Sequence, residues 1–99
     1  MITYEITAIV NLELCDDYEQ YMTAQHIPDV IAAGDFAAAS ISSAEPGLYR
    51  ILYDARDRSS LDTYLRDHAT RLRDDFAKHF PEGVEIKRTE WNVIQSWIV

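Results

Sequence analysis

Apolar and polar side chains alternate along residues 2–14 of the sequence, and this feature constrains the fold most. The apolar positions recur at every second residue: Ile2, Tyr4, Ile6, Ala8, Val10, Leu12 and Leu14. A period of two is typical of a β-strand with one buried face. The chain is therefore predicted to begin with a long strand, and the later elements have to be compatible with a sheet built on it.

The next segment has the spacing of a helix that proline interrupts. Asp16 can serve as the N-cap, with Glu19 three residues later. The positions that recur at helical spacing are Tyr18, Tyr21, Met22 and His26. Pro28 lacks an amide proton and disfavours an α conformation at the preceding residue, so we expect the helix to break there. A short second piece of helix is predicted over residues 28–33, ending at Gly34.

Residues 35–44 and 48–55 predict two strands joined by a tight turn. The turn is Glu45-Pro46-Gly47, in which proline presets its own φ and glycine supplies a positive φ. Together the two strands predict a β-hairpin. Residues 84–99 are rich in β-branched and aromatic side chains and predict a last long strand.

The second long helix has the clearest pattern. Ser59 can cap its N-terminus, and Pro81-Glu82-Gly83 ends it. Its apolar stripe includes one histidine and consists of Leu61, Tyr64, Leu65, His68, Ala69, Leu72, Phe76 and Phe80. This spacing is typical of a helix with one side packed against the core.

The order strand, helix, two strands, helix, strand is the β-α-β-β-α-β arrangement of the ferredoxin-like fold. We therefore predict an α+β protein with a four-stranded antiparallel sheet and two helices on one face. The chain has 99 residues, enough for one hydrophobic core and too few for two. Residues 1–99 are accordingly assigned to a single domain.

Two helices can cover only one face of such a sheet, yet the hairpin is apolar on both. Leu48 and Leu52 fall on one face, and Tyr49, Ile51 and Tyr53 fall on the other. The last strand adds three large side chains, Trp91, Val93 and Trp97. Soluble monomers avoid an exposed patch of this size. We therefore predict a homodimer packed sheet to sheet, a dimeric α/β barrel, with a ligand cavity between the sheets.

The formal charge of −8 argues against partners with an anionic surface. Nucleic acid and anionic lipid would repel the chain, because acids interleave with the basic residues between Arg56 and Lys78.

No apolar stretch is long enough for a bilayer and the N-terminus lacks a secretion signal, so we expect a cytoplasmic protein. Cys15 is the only cysteine, which excludes an internal disulfide and a thiolate metal cluster.

The run His26-Ile27-Pro28-Asp29-Val30, followed by Gly34-Asp35-Phe36, resembles a family of short bacterial proteins of unknown function in the dimeric α/β-barrel group. The similarity extends to Met1-Ile2-Thr3-Tyr4 and to the second long helix from Tyr64 to Phe80. It implies the ferredoxin-like fold and dimerisation. The wider group includes cofactor-free monooxygenases, polyketide cyclases, lactone isomerases and haem-using peroxidases, and a shared fold does not decide among them.

The chain departs from the family pattern at two positions of the second long helix. Family members often carry proline after the His-Ala pair and a histidine one helical turn beyond Leu72. Thr70 and Phe76 occupy these positions here. If the second histidine serves a site elsewhere in the family, the resemblance implies that this chain has lost it.

Two histidines are candidates for proton transfer. His26 and Asp29 lie three residues apart, so Asp29 could orient His26 as a general base. The alternative, which we favour, is that His26 packs while Asp29 caps the short helix. His68 lies on the apolar stripe of the second long helix, where a buried histidine bonded to the backbone is favoured over a catalytic one.

Side chains on the sheet face away from the helices form a second candidate site. They are Glu5, Thr7 and Asn11 of the first strand with Tyr49, Tyr53 and Trp91 of the later strands. An aromatic cavity suits a flat organic ligand, and a carboxylate desolvated in it would have a raised pKa and could abstract a proton. The alternative, again favoured, is that these residues are simply the dimer core.

We predict no metal and no cofactor. His68 and His79 lie eleven residues apart on one helix, too far to share an ion. The three glycines each stand alone at a turn, so no phosphate-cradling loop can form. The favoured function is the binding of a small apolar or aromatic molecule between the sheets of a homodimer, without chemistry. The alternatives are a cofactor-independent enzyme of the monooxygenase, cyclase or isomerase type in that cavity, or association with other chains.

Overall fold

The computed structural model describes residues 1–99 and contains four strands and four α-helices. The strands are β1 (Ile2–Val10), β2 (Phe36–Ser43), β3 (Leu48–Ala55) and β4 (Val84–Asn92). They form one antiparallel sheet in the order β2-β3-β1-β4. The helices pack on one face of this sheet, so the prediction of a ferredoxin-like α+β fold is confirmed.

The pairing register decides which side chains face the helices. Across β1 and β3 the helix-facing pairs are Tyr4 with Tyr53, Ile6 with Ile51 and Ala8 with Tyr49. The opposite side of the sheet is called the open face below. It carries Thr3, Glu5, Thr7 and Ile9 of β1, Ala38, Ser40 and Ser42 of β2, Leu48, Arg50, Leu52 and Asp54 of β3, and Glu85, Lys87, Thr89 and Trp91 of β4.

The expectation that Tyr49 and Tyr53 lie on the open face is wrong. Both tyrosines are buried beneath the helices, because they pair with the buried face of β1. The open face is consequently more polar than the sequence predicts. Its large apolar side chains are Ile9, Leu48, Leu52 and Trp91.

The first helical stretch is continuous where the sequence predicts a break. It consists of α1 (Cys15–Tyr21), a π-turn (Met22–His26) and α2 (Ile27–Ala33). In the π-turn the amide of Ile27 donates to the carbonyl of Met22, five residues back. A wider turn gives room to the Pro28 ring, which would clash with the preceding turn of a regular α-helix. Proline therefore changes the hydrogen-bond pattern without ending the helix.

The second helical stretch is divided at His68 into α3 (Arg58–Asp67) and α4 (Ala69–His79). His68 leaves helical geometry, with φ −130° and ψ −32°. The prediction of Ser59 as the N-cap is wrong, because the carboxylate of Asp57 accepts from the amide of Ser60 at 2.7 Å. This hydrogen bond satisfies a free amide of the first turn and lowers the pKa of Asp57.

The first and last strands of the sequence are both shorter than predicted. β1 ends at Val10, whose amide donates to the carbonyl of Gly47 at 2.8 Å, and residues 12–14 form a 3-10 turn. β4 ends at Asn92, and the following residues 93–99 are exposed without a strand partner. This segment presents five large apolar side chains to solvent: Val93, Ile94, Trp97, Ile98 and Val99.

Aromatic rings fill the core between the sheet and the helices. The Tyr18 ring lies 4.9 Å from Tyr49, 6.2 Å from Phe76 and 5.9 Å from Phe80, measured between centroids. Such offset and edge contacts stabilise the core beyond the burial of apolar area alone.

No helix combines the length and the apolar character that crossing a membrane requires.

Candidate functional site

A small polar space, called the helix-side pocket below, lies between the sheet and both helical stretches. Its volume is about 30 Å³, which is room for one or two water molecules. It is lined by Tyr4, Ile6, His26, Val30, Tyr53, Tyr64, Leu72, Arg73 and Arg88. Pockets that hold a whole ligand usually measure about 300–1,000 Å³, so this space has room only for one small group of a larger molecule.

The hydroxyl of Tyr53 is an unused donor in this pocket. It is buried and has no hydrogen-bond partner in the chain. A buried polar group without a partner costs about 1–3 kcal/mol, and native proteins leave few of them. Burial raises the pKa of Tyr53 far above its usual range, so the hydroxyl stays protonated and can donate to an acceptor that enters the pocket.

Two arginines border the pocket with exposed side chains. Nη2 of Arg73 donates to the hydroxyl of Tyr4 at 2.8 Å. Neither Arg73 nor Arg88 forms a salt bridge, and the salt bridges of the chain use Arg56, Arg58 and Arg66. The chain has 17 acidic and 9 basic residues, so two guanidinium groups that form no salt bridge at one opening are a local source of positive charge.

His26 brings an imidazole to the pocket. Burial lowers its pKa, the charges of Asp29 and Asp75 oppose that shift, and the charge of Arg88 adds to it. The neutral ring can therefore both donate and accept a hydrogen bond near neutral pH. The centroid of the Phe76 ring lies 5.6 Å away, and this is the position at which the resemblance implies a second histidine in relatives.

The lowered pKa of His26 predicts a loss of stability in mild acid. The unfolded chain takes up a proton at pH values near 6.5, whereas the folded chain takes it up only at lower pH. The stabilising contribution is therefore complete above that value and is lost as pH falls through the folded pKa. We expect the free energy of unfolding to fall from about pH 8 to about pH 5.5, and to fall less in His26→Gln. Equal falls in both chains, measured by urea denaturation, would contradict this.

Asp29 and His68 lie outside the pocket. Asp29 is exposed in the first turn of α2, forms no hydrogen bond with His26 and does not cap the helix. It acts on His26 through its charge alone, so neither the oriented base nor the predicted cap is formed. His68 is half-buried at the break between α3 and α4, where its ring centroid lies 6.4 Å from that of Tyr64.

Glu5 and Trp91 meet on the open face, as the sequence predicts. The indole Nε1 of Trp91 donates to Oε2 of Glu5 at 3.3 Å. The sheet separates this pair from Tyr53 and His26. The predicted residues therefore divide between two sides of the sheet and do not make one site.

Tyr49 and Asn11 lie away from both groups. The hydroxyl of Tyr49 donates to Oε2 of Glu19 at 2.6 Å, so this tyrosine is already satisfied. Asn11 follows β1 at the surface, where its backbone amide donates to the carbonyl of Gly83 at 2.8 Å. No group of three or more His, Cys, Asp or Glu side chains is placed to hold a metal ion.

A wider depression of about 390 Å³ lies at the hairpin end of the sheet. It is lined by Thr7, Ser42, Ser43, Ala44, Leu48, Tyr49 and Arg50. Its hydroxyl and guanidinium groups can reach water, so no polar group there requires a ligand. The helix-side pocket, with its buried donor, is the stronger candidate.

Residues 1–94 match a family model described as a domain of unknown function (DUF4286). The chain belongs to this family. The match includes all four strands and every residue of the helix-side pocket. The prediction of a family of unknown function is confirmed, and no curated protein matches this DUF4286 chain.

Solved structures share the fold at low identity. A protein from Deinococcus radiodurans, provisionally assigned as an antibiotic biosynthesis monooxygenase, is 16% identical with a TM-score of 0.78, over 100% of this chain and 98% of that one. A Nitrosomonas europaea protein with the same provisional assignment is 11% identical with a TM-score of 0.72, over 96% and 100%. A dimeric ferredoxin-like protein from an uncultured marine organism is 10% identical with a TM-score of 0.71, over 99% and 98%. At this identity the likeness shows the fold alone.

Tyr4, Tyr64, Arg73 and Arg88 are not among the site residues predicted from the sequence. One signal was available for Arg88, because it continues the helix-facing row of Val84 and Ile86 in β4. A charged residue in an inward row is uncommon unless it has a function or a partner. Nothing in the sequence distinguishes Tyr4, Tyr64 and Arg73 from ordinary helix or strand residues, because only the fold brings them together.

Proposed function

We propose that this DUF4286 protein binds a small organic molecule in the helix-side pocket and works as a homodimer. The observation that supports the pocket is the buried Tyr53 hydroxyl, which lacks a partner in the chain. The Tyr53 ring lies 6.2 Å from Tyr4, whose own ring lies 6.5 Å from Tyr64, between centroids. These rings are almost fully buried, so they would enclose one small group of the ligand while the rest of the molecule lies outside the pocket.

The His26-Ile27-Pro28-Asp29-Val30 segment, which we propose as a mark of the family, contributes to this site. Its first and last residues, His26 and Val30, both line the pocket. Pro28 accompanies the π-turn that ends at His26, and π-turns are frequent at functional sites. The segment would therefore hold one wall of the binding site in place.

Replacing Tyr53 with phenylalanine tests the proposal. The variant Tyr53→Phe removes a buried hydroxyl that has no partner, so we expect the free energy of unfolding to rise by about 1 kcal/mol in the absence of ligand. The matched control is Tyr49→Phe. It removes a hydroxyl that donates to Glu19 at 2.6 Å, and it should lower the free energy of unfolding by about 1 kcal/mol.

Urea denaturation of both variants and of the unmodified protein gives the comparison. Opposite signs for the two substitutions would support an unused donor at Tyr53. A loss of stability in Tyr53→Phe as large as that in Tyr49→Phe would show that the hydroxyl is already satisfied without ligand, and the proposal would fail.

The homodimer part of the proposal rests on apolar side chains that one chain leaves uncovered. Trp91 is 55% exposed on the open face, and Trp97 is 73% exposed in the segment after β4. Large apolar side chains exposed to solvent are frequent at sites of protein association. A fold relative is described as a dimeric ferredoxin-like protein, which is consistent with pairing through the same fold.

Leu52→Lys is predicted to separate the two copies. Leu52 lies on the open face opposite Glu5 of β1 and Ser40 of β2, so a charge there would be buried in a sheet-to-sheet interface. Ala77→Lys adds the same charge to the exposed side of α4 and should leave the dimer intact. Light scattering should give the mass of two 11.4 kDa chains for the control and of one for Leu52→Lys. A single-chain mass for the unmodified protein would contradict the dimer.

A cofactor-independent enzyme acting in the same pocket is the second candidate. His26, held neutral by burial, could accept a proton from a phenol bound beside Tyr53. Hydroquinone is a suitable probe, with dioxygen uptake as the readout. Uptake that falls in His26→Gln would favour the enzyme, and binding of hydroquinone without uptake would favour a binding protein.

A further inference from the structure

The charge around the helix-side pocket restricts the class of molecule that fits it. Two of the nine lining residues, Arg73 and Arg88, are cationic, and none is acidic. The protein as a whole has a formal charge of −8. A positive opening in so acidic a chain selects against cations and attracts anions locally.

Three polar groups at the pocket can donate hydrogen bonds to a ligand. The Tyr53 hydroxyl is a free donor, and both guanidinium groups are donors without any acceptor capacity. Neither guanidinium is used by a carboxylate of the chain. A group with several acceptor oxygens and a negative charge would satisfy all three at once.

The size of the pocket decides among such groups. A volume of about 30 Å³ admits a planar group of two oxygens more readily than a tetrahedral phosphate with additional oxygens. The rest of the ligand would lie at the mouth of the pocket, where Arg73 of α4 and Arg88 of β4 are exposed.

We propose that the ligand of the helix-side pocket is a small organic acid whose carboxylate accepts hydrogen bonds from Tyr53, Arg73 and Arg88. This inference rests on the proposed function and adds the chemical class of the ligand. The body of the acid lies at the mouth of the pocket, beside the exposed side chains of Arg73 and Arg88. His26 lies at the same pocket and supplies a further neutral donor or acceptor.

A pair of probes of nearly the same shape tests the class. Benzoate carries a negative charge and two acceptor oxygens, whereas benzamide is neutral and has one acceptor oxygen and an amino group that donates. The full-length ¹⁵N-labelled protein is titrated with each at constant ionic strength, and the amide shifts of Tyr4, His26, Tyr53 and Arg88 are followed by NMR. We expect benzoate to bind about 10-fold more tightly than benzamide, the ratio given by one charge-assisted hydrogen bond.

Two arginine variants give the matched control. Arg88→Gln should weaken benzoate binding about 10-fold and leave benzamide binding unchanged. Arg71→Gln removes the same charge from an exposed position of α4 that does not line the pocket, and it should leave both affinities unchanged.

The outcomes separate the two proposals. Equal affinity for benzoate and benzamide would overturn the proposal that the ligand is a carboxylate, but it would leave the proposed binding pocket standing. Equal weakening of benzoate by Arg88→Gln and Arg71→Gln would assign the preference to general charge and would likewise overturn it. Binding of neither probe at these amides would overturn the pocket itself. The comparison of probes on the unmodified protein requires no variant, so it stands even if a variant fails to fold.

Discussion

Replacing Leu72 with alanine will lower the free energy of unfolding by about 2–5 kcal/mol. Leu72 is 1% exposed in α4 and is among the largest fully buried side chains of the core. Its removal forfeits the transfer energy of the side chain and leaves a cavity that the surrounding tyrosines cannot close. Urea denaturation measures the change. Leu12→Ala is the matched control, because Leu12 is 67% exposed and should cost less than about 0.5 kcal/mol.

The same substitution should make the pocket larger, because Leu72 is one of its walls. Apolar cavities of sufficient size bind small aromatic molecules. Phenol should therefore raise the unfolding midpoint of Leu72→Ala more than that of the unmodified protein. If phenol affects both chains equally, or if Leu72→Ala costs no more than Leu12→Ala, the placement of Leu72 between core and pocket is wrong.

Gly47→Ala will also destabilise the protein strongly, by about 2 kcal/mol or more, because two costs add. Gly47 has a φ of 83°, a conformation that L side chains rarely adopt. An added Cβ would lie 2.6 Å from the backbone carbonyl oxygen of Val10. That carbonyl belongs to the last residue of β1 and cannot move without disturbing the ladder.

Gly83→Ala separates the two costs. Its φ of 87° is nearly the same, but the added Cβ would meet the side chain of Leu14 at 2.5 Å, a group that can rotate away. We expect Gly83→Ala to be the milder variant in thermal unfolding. Equal losses would show that the backbone conformation alone sets the cost and that the contact with Val10 contributes nothing.

The fold could be predicted from the sequence because its elements have strong local patterns. The predicted hairpin strand 48–55 agrees with β3 at both ends. The Pro46-Gly47 turn fixes where the strand starts, and the alternation of side chains indicates how long it is. The prediction that the helix breaks at Pro28 is wrong. A π-turn depends on how the helix packs, whereas local sequence rules describe only the regular α-helix. The length of the last strand was overestimated because residues 93–99 have strand-like composition but no neighbour to pair with.

The candidate site could be predicted only in part, and the reason is the hairpin. Its two faces are both apolar, so alternation identifies a strand but not which side meets the helices. The pairing of Tyr53 with Tyr4 and of Tyr49 with Ala8 decides this, and pairing is a long-range property. Tyr49 and Tyr53 were therefore expected on the open face, together with Glu5.

His26 could be selected from the sequence as a candidate because Asp29 lies three residues beyond it. Arg73 and Arg88 are not among the candidates from the sequence, because only the fold brings them to the same pocket as tyrosines far away along the chain. A buried hydroxyl without a partner, such as that of Tyr53, is visible only once three-dimensional packing is known.

A crystal structure of the protein grown with benzoate tests the central claim most directly. We expect electron density for benzoate in the helix-side pocket, with a carboxylate oxygen within hydrogen-bond distance of the Tyr53 hydroxyl. Density that shows this hydroxyl bonded to ordered water or to another protein group, with benzoate absent from the pocket, would contradict the account.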